Sequence, residues 1–428
     1  SYSQQDIDGL KKLANDNPHI TKLKEFVESK GWETDNWNSW EDYIRTNWSS
    51  GDTARLTHLL IELPWEEEPD SISSLDLSVF NELRYFECER FMNITNLDLS
   101  KNTKLEELYV YSRNLQELDL SACPNLRAFR FGTRSIGEGP EWEYPRTSLR
   151  SIRLDNCTQL EELRIEHAHI TSLDLSPFKN LQRLYIENCQ DLPSIQGFES
   201  AQQLYALELP NTTQFQSLLN NLPQTITELR LQETNYTLPP VDKLTRLIRL
   251  GVPRNLESLD LQDLPNLNYL DVENGLLKYS SIKNYRSNIN YGGRSEIRLV
   301  SPSHPEYPDL FENGDTIDLS SEAVINGVES IFLWVNRKYG TEEKNALIPV
   351  EGKPGVFVLN SQEEGWGEYW CKIMNPQFCE ITDINYYNGW QIAAQYIHVE
   401  TERPVTFHEG DVRTLANIIN ESSSQELQ

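Results

Sequence analysis

The chain has 428 residues, 66 of them acidic and 38 basic, for a formal net charge of −28. That balance excludes nucleic acid as a partner, because phosphate binding needs clustered Lys and Arg. It disfavours an anionic membrane surface for the same reason. Six cysteines are too few at this length for a disulfide-held scaffold, and no stretch approaches the roughly eighteen apolar residues of a membrane span. The chain opens at Ser1 without Met or a charged-then-apolar leader, as a trimmed or processed piece would.

Asp6 is positioned to cap a short helix carrying Leu10, Leu13 and Ala14, and a second helix is expected through Leu23, Phe26 and Val27. Trp32, Trp37, Trp40 and Trp48 follow, with Trp65 just after the phrase LTHLLI. Exposed Trp can stack on sugars, but the raw apolar end of a repeat array must be covered, and large aromatics supply that area. Residues 1–55 therefore read as a helical, Trp-rich N-terminal cap.

Between Ile72 and Leu192 a phrase returns about every eleven residues: ISSLDL, LRYFEC, ITNLDL, LEELYV, LQELDL, LRAFRF, LRSIRL, LEELRI, ITSLDL, LQRLYI. Two phrases make a coil of about 21 residues, within the range of leucine-rich repeats. One half is monotonous: Leu75–Ser78, Leu97–Ser100, Leu118–Ser121 and Leu173–Ser176 all read LDLS. Its Asp and Ser are expected to make turns. Successive side chains of an extended segment point to opposite faces, so the varied halves should present Tyr85, Glu87, Tyr109, Tyr111, Arg130, Arg164, Tyr185 and Glu187 to water. Tyr and Arg among diverse neighbours resemble a binding surface. Cys123 and Cys157 fall where the chain turns inward, and are expected to be buried free thiols.

An insertion, GTRSIGEGPEWEYPRT, breaks the period between Phe131 and Leu149 and offers Trp142 and Tyr144 at an exposed loop. Later coils persist in LYALEL, ITELRL, LIRLGV, LESLDL and LNYLDV, so the solenoid spans 56–275. Residues 276–295 read as an end cap and hinge.

From Glu296 short alternating segments follow: EIRLV, DTIDLS, SIFLWV, GVFVLN, EYWCKIM and QYIHVE. Their spacing predicts an all-β sandwich over 296–401. Trp334 resembles the buried Trp of an immunoglobulin-like domain, and Tyr369 two residues before Cys371 resembles its tyrosine corner. Ile317 and Leu319 stand where an inter-sheet Cys would sit, so the usual disulfide is expected to be absent; a local Cys371–Cys379 pairing is an open alternative to free thiols. Residues 402–428 read as a C-terminal helical segment, either packed on the sandwich or starting a further module, since Asp411, Leu415 and Ile418 repeat the register of Asp6, Leu10 and Leu13.

No nucleophile elbow, P-loop, dinucleotide fingerprint or HExxH motif occurs. His167 and His169 flank Ala168 without a third metal ligand in pattern. No enzyme activity, cofactor or metal is expected.

The alternation in ITNLDLSKNTKLEELYVYSRNLQELDLSACPNLRAF resembles bacterial extracellular leucine-rich-repeat proteins with short LDLS coils. The order of helical cap, repeats and immunoglobulin-like module resembles internalin-like architecture. That resemblance implies an exported protein held at the cell surface by a lipid or wall anchor and binding host or neighbouring-cell proteins. The family's repeat asparagine is kept at Asn102 but replaced at Arg113 and Ala168, which implies an incomplete hydrogen-bonded ladder. The expected function is adhesion or recognition of a protein partner through the varied, concave face. Glycan capture by Trp142, Tyr144 and the ladder tyrosines is the alternative.

Overall fold

The leucine of each varied half decides the architecture. A computed structural model describes residues 1–39, 41–63, 72–88, 93–132, 147–232, 234–293, 295–306, 310–363, 367–378 and 395–401. In it Leu59, Phe86, Leu108, Phe129, Leu163, Leu184, Leu207, Leu229, Leu250 and Leu270 are each 0% exposed. They lie side by side in register along the parallel strands from Leu56–Ile61 to Tyr269–Asp271. One coil contributes one strand, so the leucine-rich-repeat solenoid is built by stacking and not by any single coil's core. The chain divides into two compact units. One holds Ser1–Leu256, Asp260–Gly275 and Asn288–Asn290; the other holds Glu257–Leu259, Leu276–Ser287 and the chain from Tyr291 onward.

The two kinds of phrase have separate structural roles. Varied halves supply the long parallel sheet, whereas the LDLS halves at Leu75–Ser78 and Leu97–Ser100 are turns outside any strand. In each LDLS half the Asp carboxylate accepts the backbone N–H two residues on: Asp76 from Ser78 at 3.0 Å, and Asp98, Asp119 and Asp174 from Ser100, Ser121 and Ser176 at 2.9 Å. The carboxylates turn the chain, as Asp side chains do in Asx-turns.

Deeper in the turn, a column of side chains serves buried carbonyls of the preceding coil. The Asn102 amide donates to Leu77 O at 2.9 Å and Phe80 O at 3.1 Å. One coil on, the Cys123 thiol reaches Asn102 O at 3.6 Å, and next the Cys157 thiol reaches Leu120 O at 3.4 Å. This corrects the expectation of a broken ladder. The column through Asn102 continues in thiols, and Arg113 and Ala168 belong to the other half-coil. There Ser112 Oγ donates to Ile94 O at 2.7 Å, and the Cys189 thiol reaches Ile165 O at 3.6 Å. These three cysteines are buried free thiols, and Cys88 is buried as well. Burial pushes the thiols of Cys123 up to about 11 and Cys157 up to about 12, so they act as small weak donors rather than as reactive groups.

The cap comprises the helices Gln4–Asp16 and Thr21–Glu28, a single turn at Gly31–Glu33 and the strand Ile44–Trp48. Ser3, not Asp6, caps the first helix: its hydroxyl accepts the Asp6 N–H at 3.5 Å. Asp6 sits inside the first turn, fully buried, for a different purpose. Its carboxylate takes Arg55 Nε at 2.7 Å, Arg55 Nη2 at 3.1 Å and the Leu56 N–H at 2.9 Å. The helix is thereby fastened to the first repeat strand, and Ile44–Trp48 pairs antiparallel along that strand's outer side, which hides an edge open to aggregation. Trp32 is buried against Phe26 and Trp48 packs on Tyr2. Trp40 and Trp65 lie outside the described residues.

In the second unit two sheets enclose one core. One has the order Ser295–Glu296, Gln395–Glu400, Glu368–Met374, Ile331–Asn336, Thr341–Glu342; the other, Thr316–Asp318, Val356–Leu359, Leu347–Pro349. Ile317, Leu319, Phe357 and Leu359 from one sheet meet Trp334, Tyr369, Cys371 and Ile373 from the other, an arrangement compatible with an immunoglobulin-like sandwich. Trp334 pairs in register with Cys371 and packs edge-on to Phe357 at 5.4 Å. The Tyr369 hydroxyl bonds Ser361 Oγ. Cys371 is buried and free; Cys379 lies outside the described residues. EIRLV forms strand only at Ser295–Glu296, and Val300 is 73% exposed. Of the stretch expected to be an end cap and hinge, Leu276–Ser287 and the residues from Tyr291 group with this unit: Tyr279, Tyr285 and Tyr291 surround Phe378, and buried Glu322 binds Ser280. The 402–428 segment lies outside the described residues.

Removing the buried Asp6 carboxylate strands Arg55 and the Leu56 N–H, so Asp6→Ala should cost roughly 2–4 kcal/mol. Asn102→Leu, which silences two carbonyl contacts, should cost about 1–3 kcal/mol. Urea unfolding monitored by circular dichroism measures both, and values below about 0.5 kcal/mol would show these contacts to be incidental.

Candidate recognition face of the parallel sheet

Because the leucines point inward, their neighbours on each strand point outward, and parallel register aligns them into two rows. The first runs His58, Tyr85, Glu107, Ala128, Glu162, Arg183, Ala206, Glu228, Arg249, Tyr269. The second runs Glu87, Tyr109, Arg130, Arg164, Tyr185, Glu208, Arg230, Gly251, Asp271. Tyr85, Glu87, Tyr109, Arg130, Arg164 and Tyr185 from the sequence reading thus fall on one face, and Glu187 continues it beside Glu166.

The rows form a connected network. At the cap end four rings follow one another: Trp37 lies 5.0 Å from His58 and 5.1 Å from Tyr85, and Tyr85 lies 5.5 Å from Tyr109. The Arg130 guanidinium then covers Tyr109 at 4.9 Å, Arg164 and Arg230 flank Tyr185 at 5.1 and 4.9 Å, and Arg249 covers Tyr269 at 4.6 Å. Such contacts are worth roughly 0.5–2 kcal/mol each, more where water is excluded. Carboxylates complete the network. Glu162 binds Arg183 at 2.6 Å and Arg130 at 3.6 Å, Glu228 binds Arg230 at 2.6 Å, and Glu166 binds Arg164. The Tyr109 hydroxyl donates to Glu107 at 2.7 Å, while burial and Glu107 push the phenol's pKa up and keep it protonated.

Three of the expected surface residues are less open than the alternation implied. Glu87 is 9% exposed and hydrogen-bonded by the Tyr85 hydroxyl, and Tyr185 is 6% exposed between its two arginines. Tyr111 lies beyond the strand end, 7% exposed and tilted against Phe131 at 5.9 Å, so it packs and does not project. Trp142 and Tyr144 lie outside the described residues. Arg183, Arg230 and Glu187 have side chains 42, 35 and 35% exposed, and Arg249 on the first row is exposed as well. Arg183 and Arg230, with Glu208, Glu228, Arg249 and Tyr269, were not singled out from sequence. The signal for them was the same alternation, carried on through RLY, ALE, ELR, RLG and YLD.

Glu166 is the most perturbed acid of the face. It is 2% exposed, and Gly132 leaves it room, since a Cβ there would stand 2.6 Å from the carboxylate. Burial pushes its pKa up to about 7, Arg164 opposing the rise and Glu187 adding to it; burial raises Glu208 in the same direction. Among the described residues no three His, Cys, Asp or Glu form a metal-binding group. His169 is engaged by Asp191.

A raised folded-state acid binds protons more tightly than the unfolded chain. Its contribution to stability is therefore greatest at acid pH and declines as pH rises from the ordinary 4.5 toward about 7. Glu166→Gln should flatten this decline, so the loss of thermal midpoint between pH 5 and pH 8 is smaller in the variant. Identical slopes in the two proteins would remove Glu166 from this role.

No family model and no curated protein matches the sequence. Among solved structures the chain is similar to the functional domain of InlJ from Listeria monocytogenes, at 14% identity over 81% of this chain and 86% of that one, with a TM-score of 0.27. It is also similar to the Listeria monocytogenes internalin-like protein lmo2027, at 13% identity over 82% and 87% with a TM-score of 0.33. A third is InlP of the same organism, at 15% identity over 82% and 88% with a TM-score of 0.31. Values this low bear on neither partner nor face. The registered strands and the inward leucine column themselves make the chain a leucine-rich-repeat solenoid protein.

Proposed function

We propose that this chain is a non-enzymatic recognition protein of the bacterial cell surface. It binds a protein partner through the outward rows of the parallel sheet, and the sandwich serves as spacer or brace. One observation carries the reading: the LDLS halves are consumed in turn-making, while every varied half delivers Tyr, Arg or Glu to one continuous face. Rings clamped by guanidinium groups are preorganised, which lowers the entropy cost of binding. Tyr and Arg are the residue types that dominate protein interfaces energetically. The net charge of −28 favours a basic partner by steering its approach. No helix among the described residues is long and apolar enough to cross a membrane.

With a partner identified by cross-linking on intact cells and then purified, Tyr109→Ala combined with Arg183→Ala and Arg230→Ala should weaken binding by about a hundredfold or more. Lys101→Ala and Lys179→Ala, beside the LDLS turns, should leave affinity unchanged. Equal losses in the two sets, or none in the first, would reject the face.

A further inference from the structure

The second unit carries a polar cleft that the recognition face does not account for. It measures about 560 Å³, within the roughly 300–1,000 Å³ of small-ligand sites. Its lining includes Lys338, Tyr339, Glu343, Asn345, Gln362 and Glu363. We propose that this cleft binds a neutral saccharide, with the Tyr339 ring as stacking platform and the surrounding amide, ammonium and carboxylate groups reading hydroxyls.

Three features support the assignment. Tyr339 is 58% exposed, unusual for an aromatic residue of a packed sandwich. It is nevertheless held in place, with its hydroxyl 3.4 Å from Glu363 and the Lys338 ammonium 5.1 Å from its ring centre. Second, the two carboxylates are fixed from behind by one buried amide: Asn336 Nδ2 donates to Glu363 at 3.0 Å and to Glu343 at 3.5 Å. Glu343 is further anchored by the Asn345 and Ala346 N–H groups at 2.7 and 2.9 Å. Carboxylates held this way keep lone pairs for ligand hydroxyls, and the Asn336 amide draws the Glu363 pKa down so that it stays ionised. Third, the charges select the ligand class. Two carboxylates repel an anion, and Lys338, bonded to Glu363 at 3.3 Å, occupies the place a cationic ligand would take. Donors and acceptors around an aromatic plane, with Ala346 and Tyr369 completing the lining, suit a neutral polyhydroxylated chain.

The test uses the full chain in calorimetric titration with cellohexaose, xylohexaose, mannohexaose, maltohexaose and chitohexaose. At least one should bind, with Tyr339→Ala weakening it about tenfold or more and Tyr339→Phe, which keeps the ring, by about threefold or less. Glu363→Gln should weaken it as well, and the variants of the recognition face should leave it unchanged, which separates this site from that one. Absence of binding by all five at millimolar concentration, or binding indifferent to Tyr339→Ala, would overturn the proposal.

Discussion

Coil-to-coil register is the constraint on which the structure depends. A repeat of some twenty residues cannot enclose its own apolar side chains. Each coil must therefore lay its leucine against the next while every buried backbone group finds a partner. The parallel ladder satisfies the strand side. In the LDLS halves Asp76, Asp98, Asp119 and Asp174 take the exposed N–H groups, and deeper in the turns Asn102, Cys123 and Cys157 reach the buried carbonyls. The same requirement explains the cap. The first strand has no preceding coil, so buried Asp6 captures its Leu56 N–H and Ile44–Trp48 pairs with its edge.

Once register is fixed, the proposed recognition face follows without further design. Outward residues of successive strands become neighbours, so a substitution in one coil alters a row and leaves the stacking alone. The rows are not a set of free side chains. Three of the arginines are shared between a ring and a carboxylate: Arg130 between Tyr109 and Glu162, Arg164 between Tyr185 and Glu166, and Arg230 between Tyr185 and Glu228. A surface so connected is rigid before a partner arrives, which favours specificity over adaptability. Burial raises the pKa of Glu166 within it, against the opposing Arg164.

Periodicity revealed the solenoid and the division between turn-making and varied halves, because the spacing of Leu is the physical cause of both. Alternation placed Tyr109, Arg130 and Arg164 correctly. It failed at Tyr111 because a strand ends one residue earlier and the chain then turns inward. It also overstated the openness of Tyr185, since cross-strand neighbours, invisible in one coil's sequence, stack over the ring. Asp6 was recognised as important to the first helix but given the wrong task. The local capping pattern cannot show an arginine 49 positions away. The cysteine rungs were placed inside, but their hydrogen bonds depend on carbonyls of the preceding coil. The polar cleft of the sandwich joins segments around Lys338, Glu343 and Glu363 that no short motif links.

Hydroxyl-radical footprinting of the chain with and without its bound partner tests the central claim most directly, since it reads accessibility on both faces at once. The account predicts protection at Tyr85, Tyr109, Arg183 and Arg230, with Lys101, Asp119 and Lys179 on the turn side unchanged. Protection on the turn side, with the rows of the parallel sheet still reactive, would contradict it.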